Sequence, residues 1–95
     1  MVLERAEFIA KVGTGDEVGE LLRTRGLPLA ANYTGCLSFR ALRCVEQPET
    51  FLFLAEWESI EAHKESRHEP AHVEFREMLL PFAAGARETL HFTEL

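Results

Sequence analysis

Hydrophobic and polar residues alternate in four stretches of the chain, and each stretch predicts a β-strand. In the first, Phe8, Ala10 and Val12 fall on one face and charged residues occupy much of the other. The third stretch differs, because its first half is apolar on both faces. The four predicted strands cover 3–12, 36–46, 50–58 and 86–94.

Between these strands, apolar residues recur every three or four positions, which is typical of helices packed on a core. The predicted helices cover 16–25, a further turn or two over 29–33, 60–66, and a segment that begins at Pro70 and ends near Pro81 and Gly85. Gly26 to Pro28 should break or kink the first helix, because proline lacks a backbone N–H. Thr14 or Asp16 is expected to cap the first helix, and Ser59 the helix at 60–66.

The order strand, helix, strand, strand, helices, strand predicts an α+β fold of the ferredoxin-like kind, formed by residues 1–95 as a single domain. Its four-stranded antiparallel sheet would carry all helices on one face. A sheet that is solvated on its other face should alternate cleanly, but the second and third strands are apolar on both sides. We therefore expect a homodimer in which a second copy covers the free sheet face.

Charge and composition exclude several classes of partner. The net charge is −6 and the Lys and Arg residues are scattered, so nucleic acid is not expected to bind. No apolar run reaches membrane length and the amino terminus lacks a signal-peptide core, so we expect no membrane association and a cytoplasmic location. Cys36 and Cys44 would lie roughly 26 Å apart on one strand, too far for a disulfide, which favours a reducing compartment.

Histidines are the strongest candidates for acid–base chemistry, because imidazole titrates near neutral pH. His72 is the first candidate for a catalytic base, since it shares the apolar face of the last helix with Phe75. His63, on the shorter helix, is the second candidate. His68 is expected to be exposed and His91 to be structural. A metal site built from His63, His68 and His72 is not expected, because Pro70 makes one continuous helix doubtful.

Further residues are candidates for binding a small aromatic ligand. Trp57 would form a stacking wall, and Arg40 would either orient a ligand oxygen or pair with Glu56 across the hairpin. Asn32 and Tyr33 would offer hydrogen bonds. Phe8 and Phe75 are expected to face the space between the helices and the sheet.

Three segments in a fixed order resemble one protein family. They are Gly35-Cys-Leu-Ser-Phe39, Phe51-Leu-Phe-Leu-Ala-Glu-Trp-Glu-Ser59 followed by a short helix with a His, and Glu88-Thr-Leu-His-Phe-Thr-Glu94. Together they are similar to the antibiotic biosynthesis monooxygenases over nearly the whole chain. The resemblance implies a dimeric α/β barrel made of two ferredoxin-like sheets. It also implies oxidation of a quinol or a polyketide-like phenol by O₂ without a cofactor.

This sequence departs from two groups within that family. Quinol-oxidising relatives carry histidines at the places of Ser66 and Ala71. Haem-degrading relatives carry an Asn, a Trp and a ligating His at the places of Phe8, Ser66 and about Arg76, so haem breakdown is disfavoured. Two alternatives stay open: a protein of this fold that binds or isomerises a small molecule without oxygenating it, and a dimeric scaffold with a filled core.

Overall fold

A computed structural model describes residues 1–95 and confirms the predicted α+β ferredoxin-like fold. Five strands form one antiparallel sheet. They are β1 (Val2–Ala10), β2 (Cys36–Arg43), β3 (Thr50–Trp57), β4 (Ala83–Ala86) and β5 (Leu90–Phe92). The order is β2-β3-β1-β4, with β5 also paired to β1. The predicted last strand at 86–94 was therefore wrong in extent, because the chain forms two short strands along β1.

The break between β4 and β5 lies where the side chain of Arg87 turns towards β1. Its Nε lies 2.7 Å from Oε2 of Glu7. Gly85 was expected to help end the last helix, but it lies in β4 opposite Ile9. A 3₁₀ turn, Leu80–Phe82, ends that helix instead.

The first helical region is continuous from Gly15 to Ala30. It comprises α1 (Gly15–Leu21), a π-helical segment (Leu22–Gly26) and α2 (Leu27–Ala30). The predicted interruption takes the form of that wider π-helical segment. Pro28 is the second residue of α2, and its missing N–H removes one helical hydrogen bond directly after the π-helical segment.

Two helices cross the sheet after β3, namely α3 (Ile60–Ser66) and α4 (Pro70–Leu79). The predicted Ser59 cap is confirmed, because its side chain accepts a hydrogen bond of 3.0 Å from the Ala62 N–H. The predicted cap of α1 was wrong. Thr14 lies at that position but its hydroxyl donates to the Lys11 carbonyl, while Asp16 binds Arg43.

The helices cover the face of the sheet to which β3 turns Phe51, Phe53, Ala55 and Trp57, all of them buried. A bulge in β2 lies between Cys36 and Ser38. It turns Cys36 towards the core and leaves Leu37 55% exposed. Because strict alternation does not cross a bulge, Leu37 and Phe39 do not share a face of β2.

The other face of the sheet, which we call the free face, has no covering helix. The strand register places an apolar set there, formed by Leu3, Ile9, Leu42, Leu52, Leu54, Leu90 and Phe92. Leu90 and Phe92 are 42% and 47% exposed. This is the surface that the two-sided apolar pattern of the sequence predicts.

The turn into β2 depends on Gly35, whose φ is +79°, a conformation that favours glycine. A Cβ at this position would also lie 2.8 Å from the Cβ of Ala62 on α3. We expect Gly35→Ala to lower the free energy of unfolding by about 2–5 kcal/mol, from strain of the left-handed backbone and from overlap.

Gly13→Ala is the matched control, because Gly13 has a φ of +84° and a Cβ added there would meet no atom within 4 Å. It should cost only the backbone strain, about 1–2 kcal/mol. Urea denaturation of both variants measures the difference. Equal losses would show that α3 does not pack tightly on the Gly35 turn.

Candidate active site

A cavity of about 520 Å³ lies between α4 and the core side of the sheet. Four phenylalanine rings dominate its walls: Phe8, Phe39, Phe53 and Phe75. The rings of the last three pack against one another with centroids 5.5–5.8 Å apart, mostly edge to face. The volume lies within the range of sites that bind small organic molecules. The space between helices and sheet is therefore open, which argues against a scaffold with a filled core.

Tyr33 contributes a polar group to this apolar cavity. The residue is 5% exposed and its hydroxyl has no hydrogen-bond partner. Burial raises the pKa of Tyr33, and the charge of Glu4 acts in the same direction. The hydroxyl therefore stays protonated and can donate to an oxygen atom of a bound molecule, which would remove the cost of leaving it unpaired.

His72 lines the same cavity from α4 and stacks on Tyr33, with ring centroids 4.3 Å apart. Its Nδ1 lies 3.2 Å from the Ser66 hydroxyl oxygen. Burial lowers the pKa of His72 to about 4, and the charges of Arg76 and Arg67 act in the same direction. The imidazole is therefore neutral near pH 7 and has a free lone pair, while the lowered pKa makes it a weaker base than an ordinary histidine.

Glu4 is a buried carboxylate in the wall of the cavity, and it was not among the residues predicted from the sequence. It is 8% exposed and its Oε1 accepts a hydrogen bond of 2.8 Å from Trp57 Nε1. Burial raises the pKa of Glu4, although the Trp57 hydrogen bond opposes this. One sequence signal could have identified Glu4. Glu4 is four residues before Phe8 and six before Ala10, and because strand side chains alternate every two residues, it lies on the same buried face as both.

His63 lies behind the cavity and joins Glu4 to β5. Its ring is 4% exposed and stacks on Trp57 at 4.6 Å. Nε2 lies 3.4 Å from Oε1 of Glu4, and Nδ1 lies 2.7 Å from Nε2 of His91. Burial lowers the pKa of His63 to about 4, and His91 and His72 add to that effect.

The structure brings four of the eight predicted site residues together around the cavity: Phe8, Tyr33, His72 and Phe75. Trp57 and His63 form the layer behind it, where both are buried. The remaining two lie elsewhere. Asn32 is exposed and donates to the Pro28 carbonyl, and Arg40 is exposed on the free face opposite Leu54.

The predicted pairing of Arg40 with Glu56 was wrong. The bulge in β2 shifts the register so that Glu56 lies opposite Ser38. The Ser38 hydroxyl donates to the Glu56 carboxylate at 2.8 Å. Arg40 is thus left without that partner on the free face.

The two buried histidines make the protein sensitive to acid. Their pKa values fall from an ordinary 6.5 to about 4 in the folded state. Between these pH values the unfolded chain binds protons that the folded chain does not. The free energy of unfolding should therefore be highest above about pH 6.5. It should fall by up to about 1.4 kcal/mol per pH unit for His63 and by less for the more exposed His72.

Urea denaturation at about pH 7 and about pH 5, at one protein concentration, measures this slope. The raised pKa of Glu4 acts in the opposite sense and reduces the net slope, so Glu4→Gln should make the slope steeper. His72→Phe should reduce the slope, and His68→Ala, at an exposed connector residue, should leave it unchanged. A stability that does not change over this range would contradict the neutral state of both histidines.

The fold and the site together define an α+β protein with an apolar cavity for a small molecule and several proton-exchanging groups in and behind its wall. The sequence model of the antibiotic biosynthesis monooxygenase family matches residues 1–78. The chain belongs to this family.

Individual relatives are more distant. The chain is 27% identical over 96 residues to an uncharacterised protein, YczJ, of Bacillus subtilis (strain 168), and the match covers all of both chains. A crystal structure of an antibiotic biosynthesis monooxygenase superposes with a TM-score of 0.84 at 16% identity, covering 100% of this chain and 99% of the other. A conserved protein from Methanosarcina mazei Go1 gives 0.81 at 16% identity, with 99% and 92% covered. At this level of identity, the structural similarities show that the chain shares the fold of these proteins.

None of the helices has both the length and the apolar composition that crossing a membrane requires.

Proposed function

We propose that this protein is a cofactor-independent monooxygenase that acts on a small aromatic hydroxyl compound, a quinol or a polyketide-like phenol. The observation that carries the proposal is the combination inside one apolar cavity of a neutral imidazole, His72, and an unpartnered phenol hydroxyl, Tyr33. Membership of the monooxygenase family supports the reaction class.

The reaction of O₂ with a quinol needs a proton acceptor more than it needs a metal or flavin. Removal of a hydroxyl proton makes the ring electron-rich enough to reduce O₂ and form a carbon–oxygen bond. Loss of the hydrogen on that carbon then breaks the O–O bond. One oxygen atom stays on the product and the other leaves as water, so four electrons come from the substrate and no other reductant is required.

Each cavity group has a role in this scheme. The Nε2 atom of His72 accepts a hydroxyl proton, while Nδ1 is held by Ser66. The Tyr33 hydroxyl donates to the oxygen on which negative charge develops, and the Arg76 guanidinium in the same wall favours that charge. The phenylalanine rings exclude water and pack on the faces and edges of the substrate ring.

The working unit in this proposal is a homodimer formed through the free face. Leu90 and Phe92 are nearly half exposed there, and four further leucines lie on the same surface. A two-fold axis brings the same apolar set of a second copy against it, which makes the surface self-complementary. The free thiols of Cys36 and Cys44 agree with the cytoplasmic location expected from the sequence.

One observation favours the alternative of a ligand-binding or isomerase-type protein. Ser66 holds the place of a histidine in quinol-oxidising relatives, and here it is 1% exposed and lies beside His72. A single cavity histidine would suffice to move a proton within a bound molecule without O₂.

Oxygen uptake separates the two functions. Protein treated with a chelator and freed of small molecules should consume O₂ when a panel of hydroquinones and hydroxynaphthalenes is added. Binding of these compounds without O₂ consumption would favour the alternative.

A further inference from the structure

Glu4 is an unusual residue to find on the buried face of a central strand. It is the only carboxylate among the buried residues, and with Tyr33 and His72 it lines the cavity. An ionised carboxylate is costly to bury unless its oxygens are well supplied with donors. Only one of its two oxygens is supplied here.

That oxygen is Oε1. Trp57 Nε1 donates to it at 2.8 Å, and Nε2 of His63 lies 3.4 Å away. No protein group donates a hydrogen bond to Oε2. Trp57 and His63, which lie behind the cavity, thus contact only Oε1 of the carboxylate, and Glu4 itself forms part of the cavity wall.

His91 shares a hydrogen bond with His63, and the tautomers of the two rings decide where the His63 proton lies. Glu4 and His91 are paired residues of β1 and β5, which places both on the core side. The neutral His63 ring carries its proton on Nε2, facing Glu4, when Nδ1 accepts the hydrogen bond of His91 Nε2 at 2.7 Å. The Trp57 ring, stacked on His63 at 4.6 Å, keeps the imidazole in this plane.

We propose that Glu4 is a second proton acceptor of the cavity, acting through Oε2, and that Trp57, His63 and His91 are positioning residues that hold it. This inference rests on the proposed function and extends it. Oxidation of a quinol removes the protons of both hydroxyl groups, so one acceptor on α4 and one on β1 fit a substrate that lies between helix and sheet.

The proton balance of the step is simple. The substrate hydroxyl transfers its proton to Oε2, and the electron pair of the O–H bond stays on the substrate oxygen. O₂ then adds to the ring. The hydrogen of the ring carbon that binds O₂ moves as a proton to the terminal peroxide oxygen, so the O–O bond breaks with loss of hydroxide. The hydroxide takes the proton back from Glu4 and leaves as water, which restores the carboxylate, and the proton held by His72 returns to an oxygen of the hydroxyquinone product. Burial supports this cycle, because it raises the pKa of Glu4 and so makes the carboxylate a stronger base.

Glu4→Gln tests the role, because the amide oxygen can still accept from Trp57 but cannot take up a proton. We expect kcat for oxygen uptake to fall by at least about 100-fold, with KM within about threefold. The loss should shrink with electron-poor, halogenated hydroquinones, whose hydroxyl groups ionise without a base. Glu74→Gln, at an exposed position on α4, is the matched control and should keep wild-type rates.

His63→Phe provides a second variant, because phenylalanine keeps the stack on Trp57 but removes both ring nitrogens. The titratable and charged groups around Glu4 are His63, Tyr33, Cys36, His91 and Arg67, together with His72, Glu7 and Arg76 of the cavity wall. Without the Nε2–H the ionised carboxylate loses support. The acid limb of the kcat profile should therefore move to higher pH, a change that a purely structural role of His63 would not produce.

The outcomes are distinguishable. Oxygen uptake by wild type and Glu4→Gln at similar rates would overturn the role of Glu4 and leave the proposed function standing. An equal loss with all hydroquinones, whatever their acidity, together with an unmoved pH profile in His63→Phe, would also overturn it. No uptake by the wild type with any hydroquinone would overturn the proposed function, and this role with it.

Discussion

Leu54→Glu should convert the proposed homodimer into a monomer at micromolar concentration. Leu54 lies near the middle of β3 on the free face, opposite Arg40 of β2 and Arg5 of β1. In the monomer the new carboxylate stays in water beside two arginines, so the fold should tolerate it. In the dimer the new carboxylate and the two arginines would be removed from water. The ion pairs that they form do not repay this desolvation cost, whereas the wild-type leucine packs against the partner without such a cost.

We expect the dissociation constant of the dimer to rise by at least about 1,000-fold, which corresponds to ~4 kcal/mol. Val45→Glu is the control, since Val45 is 89% exposed and lies beyond β2. Sedimentation velocity over a concentration series measures both variants. A wild-type protein that sediments as a folded monomer, or a Leu54→Glu variant that stays dimeric, would contradict the proposed interface.

His72→Phe should lower kcat for quinol oxidation by about 100-fold or more, as is usual when a general base is removed. Phenylalanine keeps an aromatic ring stacked on Tyr33 but has no nitrogen to accept the proton. The binding of a quinone product should change little, because the apolar walls of the cavity are retained. His68→Ala removes an exposed histidine from the connector before α4 and should keep the wild-type rate.

Stopped-flow oxygen uptake and fluorescence titration of Trp57 measure the rate and the binding separately. A His72→Phe variant with the wild-type kcat would remove His72 from the mechanism. A parallel loss of binding and of rate would instead indicate that His72 only shapes the cavity.

The fold could be predicted because most of its strands and helices follow local sequence patterns. The apolar run in 50–58 and the Ser59 cap placed β3 and α3 almost to the residue. The errors fall where tertiary contacts override the pattern. The bulge after Cys36 changes which face of β2 the neighbouring side chains occupy, and residues 87–89 belong to no strand, which divides the predicted last strand.

The site was harder to predict than the fold. Phe8, His72 and Phe75 were predicted from core-facing positions, and Tyr33 was predicted with Asn32 as a hydrogen-bonding residue; the structure places these four, without Asn32, around the cavity. Arg40 and Asn32 were predicted as site residues only because of the residues next to them in sequence. Both lie away from the cavity. Glu4 was missed because a carboxylate in an amphipathic strand is normally assigned to solvent, and its partner Trp57 is 53 residues away.

The proposed monooxygenase activity requires that O₂ react directly with an aromatic hydroxyl compound in this cavity. Turnover of a hydroquinone by chelator-treated protein under ¹⁸O₂, followed by mass spectrometry of the product, tests it most directly. We expect one labelled oxygen atom in each product molecule and one O₂ consumed for each hydroquinone. Product without label, or no product above the rate in buffer alone, would contradict it.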